Sequence, residues 1–427
     1  MEKKDFEELD SICTFFNNNI EILEEYVTSI YDSQFGDERC ITLGKDVAQE
    51  LKSIFGEEYT QEIEEGDEVK VKFEIPTNKS EEWKESAVKR MEALTEKAKN
   101  SLKRNILLRS ALMSLIIYFE GTISDLFKFL INKNPDMVTN DKMLSFKQIK
   151  EFGSIDSAVE YLIENEIESI MRASFDTWYK TLNSKFKTNI EFTKDDIITL
   201  TEIILRRNLF VHNGGIVNNL YLKKVDESKR RNIKKGDSLT VDIPYIIRSI
   251  EIIRRMGNEI LLKTYKKLDT NSEYYWDTLF NIGYKDLMKG RYTNAKSIFY
   301  FLSKDKNVKY ADILVAKANY FIASKELNEY DKIKAEVEAI DITAFSDRYK
   351  AVFLAIKDKT DECIKVIKRA YPKEIKKLEI QEWPAFKKVR EQKEFKSIFI
   401  RQNKKNIVMC KFNIKSKKKN EQKNSSK

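Results

Sequence analysis

A chain of 427 residues, 41% hydrophobic and 34% charged, is long enough for two or three domains and apolar enough to bury their cores. Its net charge of +8 is no argument for nucleic acid, because Arg401 to Lys427 alone carries ten Lys or Arg against one Glu, leaving the body at −1. Cys13, Cys40, Cys363 and Cys410 are scattered without a CxxC, and one histidine cannot complete a Cys/His cluster, so neither a zinc site nor any cofactor is expected.

The thiols suit a reducing cytoplasm. The N-terminus MEKKDFEELD has no apolar signal core, and no apolar run approaches the ~18 residues of a membrane span. Few glycines and prolines among many Lys, Glu, Leu and Ile favour helices.

Residues 1–79 read as a prelude. Phe6 to Tyr31 has helical spacing, whereas Val69, Val71, Phe73 and Ile75 alternate with Glu68, Lys70, Lys72 and Glu74, predicting one strand that Pro76 ends. No chemistry is visible there, and an appendage packed on the next domain is expected. Ser80 opens a long helix towards Asn132, before Pro135. Its second half, ALMSLIIYFEGTISDLFKFLI, is nearly all apolar and should be the spine of a bundle. Glu120 interrupts it, either as an edge carboxylate reaching water or as a buried acid with a raised pKa that orients Arg207 or His212.

Residues 140–152 read as a connection. Ser154 or Asp156 then caps a helix through Glu168 to about Leu182, with Phe175, Trp178 and Tyr179 as core. Thr193 and Asp196 form an [ST]-x-x-[DE] start for the run from Ile197, and Gly214 and Gly215 supply its stop. On a helical wheel Ile197, Ile198, Leu200, Ile204, Leu205 and Val211 make one apolar face. Asp195, Thr199, Glu202 and Arg206 gather opposite, so Arg206 is expected in solvent. Asn208 and His212 fall inside the apolar face and Arg207 on its flank. Polar groups there cost desolvation unless partners await them. They are either a satisfied buried network or a site where an Arg, an Asn and a His converge on a phosphate.

Beyond the helix, IVNNLYL and DSLTVDI read as two short strands, a small β-hairpin insertion. Between them Lys223, Lys224, Lys229, Arg230, Arg231, Lys234 and Lys235 are candidate RNA-backbone contacts, tethered just past His212. Pro244 opens a helix to about Leu268, with Ile246, Ile247, Ile250, Ile253, Ile260 and Leu261 at helical spacing. Residues 269–272 read as a linker. Gly283, Gly290, Tyr292, Ala295 and Phe299 match the small-large pattern of a tetratricopeptide repeat, and later helical pairs to residue 400 lose that signature. Trp383, Phe386 and Phe395 should finish its core. Such pairs expose a groove for peptides or proteins, so a protein partner is expected there. The tail 401–427 is expected to be disordered.

Arg207, the polar Asn208 directly after it, and His212 after four intervening residues resemble the signature of the HEPN superfamily, the higher eukaryotes and prokaryotes nucleotide-binding domains. RNLFVHNGGIVNNLYL, the later KKGDSLTVD and the upstream FGSIDSAVEYLIENEIESIMRASFDTWYKTL resemble one branch of it, so the likeness runs from Ser80 to Leu268. It implies a mainly all-α architecture, with a HEPN-type helical bundle over 80–268, a tetratricopeptide-like helical domain over 269–400, and a homodimer that cleaves RNA without metal at its interface. Arg207 would hold the charge on phosphorus, His212 would move the proton, and Asn208 would orient one of them. One imidazole is not two proton carriers, so the second group is a partner histidine, Glu120 or water. A toxin or antiviral-defence role fits such an activity. The rival expectation is an inactive scaffold that binds RNA or a protein.

Overall fold

The computed structural model describes residues 3–35, 45–65, 68–74, 76–135, 144–230, 232–268, 275–305 and 307–395. Among them the fold is all-α with one small antiparallel hairpin. Two compact units divide the chain, Met1–Tyr320 and Phe321–Lys427. The expected linker and the basic tail lie outside the described residues.

Helices α1 (Lys3–Gln34) and α2 (Lys45–Phe55) precede the strands β1 (Thr60–Glu65) and β2 (Glu68–Phe73). The expected strand therefore has a partner, with Thr60 opposite Phe73 and Glu65 opposite Glu68. In TQEIEE a lone Ile63 leaves no alternation to read, which is why the second strand escaped sequence inspection. Ser80 caps α3 (Glu81–Lys133) by accepting from the Trp83 amide. Leu112, Leu115, Ile116, Phe119, Leu126, Phe127 and Phe129 along its second half are fully enclosed. Averaged over 18 residues, this helix is long and apolar enough, by length and composition, to cross a membrane. Here the run is the spine of a bundle.

The stretch 140–152 is not all connection. Ser145 and Gln148 build a capping box for α4 (Phe146–Phe152). The next predicted helix is two, α5 (Ile155–Met171) and α6 (Phe175–Phe186), because Ser174 is extended and seats Phe175 against Phe119, ring centroids 5.9 Å apart. Then come the motif helix α7 (Lys194–Asn213), the short α8 (Asn219–Lys224) and α9 (Ile243–Leu268). Both α7 and α9 pack on α3, and α1 buries Leu9, Cys13, Phe16, Ile20 and Val27 against α3 and α9.

The predicted strands after the motif helix are corrected. IVNNLYL turns into α8, capped by the Asn218 side chain, and only an isolated bridge joins Ile216 to Ser238. Val217, Tyr221 and Val225 are buried at intervals of four, a helical and not an alternating pattern.

Next along the chain, α10 (Trp276–Met288) packs on α11 (Tyr292–Ser303), α12 (Tyr310–Glu326) is followed by α13 (Tyr330–Glu338), and α14 (Asp347–Ile356) packs on α15 (Thr360–Ala370). All three turns are the same device. Gly290, Asn328 and Asp358 sit at φ 76, 59 and 58. Around them Arg291 N donates to Asp286 O at 2.8 Å, Glu329 N to Ser324 O at 2.9 Å, and Lys359 N to Leu354 O at 2.9 Å. The amide of each left-handed residue reaches the carbonyl three back, which completes a Schellman closure. At Gly283 an added Cβ would lie 3.0 Å from Ile298 and 3.1 Å from Phe299, so the helices approach closely there and a side chain would have to push those two aside. Trp383, Phe386 and Phe395 are buried as expected.

Candidate active site on the motif helix

Helix α7 begins and ends where its residues dictate. Thr193 accepts from the Asp196 amide while Asp196 accepts from the Thr193 amide, and Gly214 stops the helix at φ 60. Burial by itself would raise the Asp196 pKa, but its pairing with Arg255 and Thr193 outweighs that and holds it below the ordinary aspartate range. That ion pair fastens the start of α7 to α9.

The wheel misjudged which side is inside. Glu202 is 5% exposed, not solvated. Its Oε1 accepts from Arg206 Nε at 2.7 Å and from the Tyr221 hydroxyl at 2.7 Å, and Oε2 accepts from the Tyr245 hydroxyl at 2.8 Å. Arg206 also donates to Thr240 O at 2.9 Å and stacks 4.3 Å from the Tyr245 ring centre. Burial opposes the Arg206 charge, yet the neighbouring Glu202 carboxylate more than offsets it, so the guanidinium holds its proton harder than usual. Burial first, then that same carboxylate, push both tyrosine hydroxyls up. This closed network clamps α8 and the start of α9 onto α7. Sequence reasoning missed it because the partners sit 19 and 43 residues from Glu202.

The other side is open. Ile197, Thr201, Ile204 and Asn208 are half-buried, and Val211 and His212 are exposed. Val211, expected in the apolar face, is 50% exposed. Arg207 turns inward and forms an ion pair with Glu120 on α3. Burial raises the Glu120 pKa, and Arg207 pulls it back only in part. The Arg207 Nε is buried without an acceptor. Within one chain the structure thus joins Arg207 to Glu120 and does not join it to His212. The two motif residues project about 140° apart around an ideal helix. The expected convergence of Arg, Asn and His does not occur inside a single copy. Among the described residues, neither the Asn208 nor the His212 side chain has a hydrogen-bond partner.

Phe210, between the motif residues, carries the Arg109 guanidinium 4.7 Å above its ring. Its other neighbour is Gly215, where an added Cβ would come within 2.8 Å of the ring.

The basic loop divides. Lys223, Lys224, Lys234 and Lys235 are exposed. Lys229 pairs with Asp195 at 2.9 Å, and Arg230 Nε donates to Val225 O at 3.1 Å, so these two shape the loop. Arg231 lies outside the described residues. Among the described residues, no group of three His, Cys, Asp or Glu side chains is arranged to hold a metal. No protein-family model, curated protein or solved structure matches the chain.

Proposed function

We propose that the chain is an endoribonuclease of the HEPN kind that works without metal as a homodimer, in the service of a toxin or antiviral-defence system. One observation supports it above others: α7 keeps a polar, half-apolar face unpartnered, with Asn208, Val211 and His212 outward and Arg207 pinned at its edge by Glu120. A second copy laid on that face would bury Ile197, Ile204 and Val211. It would also bring His212 of the partner subunit towards Arg207.

Cleavage then follows elementary chemistry. The RNA 2′-hydroxyl loses its proton to one imidazole and attacks the adjacent phosphorus. The 5′-oxygen leaves with a proton from the second imidazole. Arg207, always charged and planar, neutralises the non-bridging oxygens of the five-coordinate phosphorus. Asn208 orients, and Glu120 fixes the guanidinium fork. The products carry a 2′,3′-cyclic phosphate and a 5′-hydroxyl. To test this, a synthetic RNA is digested by the full chain in EDTA and its ends are mapped. Cyclic-phosphate ends are expected, and 3′-hydroxyl ends or a strict metal requirement would rule the mechanism out.

The ion pair also favours a second reading. A carboxylate already neutralising Arg207 suits a scaffold that binds RNA, or a protein at its C-terminal helical pairs, without cutting. Expression slows growth under the first reading and His212→Ala relieves it, whereas wild type and variant behave alike under the second.

A further inference from the structure

We infer that Arg109 is a second phosphate contact of this site and grips the RNA backbone beside the bond that Arg207 serves. The inference rests on the RNA-cleaving reading of the motif.

Arg109 lies on α3, eleven residues before Glu120, so both project from nearly the same side of that helix. Its guanidinium covers Phe210, three residues after Arg207 and about 60° from it around an ideal helix. Other arginines with little exposure are paired with carboxylates. Arg206 has Glu202, Arg207 has Glu120, Arg255 has Asp196, and Arg254 and Arg291 share Asp286. Arg109 is half-buried, its Nε is sealed from solvent without an acceptor, and among the described residues no carboxylate or carbonyl meets it.

A half-buried cation with no counter-charge costs desolvation that stacking alone does not return. Stacking uses the flat face of a guanidinium and leaves the donors on its edge unspent. A phosphodiester is the anion whose geometry fits that edge. Gly215 keeps the platform in place, since any side chain there would collide with the Phe210 ring. Arg109 therefore stands beside the motif with donors that nothing among the described residues occupies.

The test measures binding separately from cutting. A fluorescein-labelled single-stranded RNA is titrated with the full-length chain carrying His212→Ala, alone and combined with Arg109→Gln or Arg109→Lys. Arg109→Gln should weaken binding roughly tenfold and reduce the salt dependence by about one phosphate contact. Arg109→Lys should keep the salt dependence but recover only part of the affinity. Equal affinity and equal salt dependence for Arg109→Gln would overturn the contact. Thermal melts identify a variant that has lost its fold. In that event Arg109→Lys decides alone, and undiminished affinity overturns the contact. If wild type cuts nothing while Arg109→Gln still weakens binding, the cleavage reading falls and the contact stands. If wild type cuts and Arg109→Gln neither binds nor cuts differently, the contact falls and the cleavage reading stands.

Discussion

On the inner face of α7 one carboxylate, Glu202, serves an arginine and two tyrosines, and every donor aimed at it is satisfied within 2.8 Å. At the outer end of the same helix His212 is exposed and Asn208 half-buried, and Arg109 and Arg207 each bury an Nε that has no acceptor among the described residues. Similar residue types meet opposite treatment within about three turns of one helix. Saturated polar groups fix structure, because removing one partner strands the others. Unsaturated ones next to an open face hold capacity for something the chain does not contain.

The largest effect that separates these regions is kinetic. His212→Ala should lower RNA cleavage by about 10²–10⁴-fold while thermal stability stays within ~0.5 kcal/mol of wild type. A variant that melts early would instead assign the histidine to the fold. Glu202→Ala should do the reverse and destabilise by roughly 3–5 kcal/mol, because a buried arginine and two hydroxyls lose their acceptor. Denaturant unfolding measures it, and a loss under 1 kcal/mol would break the contrast. Gly215→Ala joins the regions: its φ of 90 and the 2.8 Å approach to Phe210 predict a cost of roughly 1–3 kcal/mol. It should also weaken RNA binding by shifting the ring under Arg109. The smallest effect is at the start of the helix. The depressed Asp196 pKa contributes stability above the ordinary aspartate value of 3.8 and loses it as pH falls through the lower folded value. Melting curves of wild type and Asp196→Asn should therefore converge on acidification, and a constant gap would remove Asp196 from the linkage.

Helix ends were legible because caps are local. Ser80 and Thr193 with Asp196 act within three residues of themselves, and Gly214 within five. The inward side of α7 was not legible. A wheel assigns apolar residues to the interior, yet here Tyr221 and Tyr245 line part of that interior with hydroxyls. Glu202 and Arg206 are drawn in to meet them, and Ile197 and Ile204 are left half outside. Val217 and Tyr221 were mistaken for strand residues, and Val225 was left in the basic loop, because apolar composition outweighed their interval of four. At the motif, Arg207, Asn208 and His212 were readable as a pattern. Their separation around the helix was implied by the same 100° steps, and its consequence, that one copy cannot unite them, became plain only with Glu120 in place.

The recurring turn after α10, α12 and α14 accepts Gly, Asn or Asp at its left-handed position, so three spellings encode one geometry. Each turn is stitched by bonds that span only a few residues, so bringing its ends together costs little chain entropy. Helical hairpins built this way can form one at a time as the C-terminal stretch leaves the ribosome, without waiting for distant strands or a remote core.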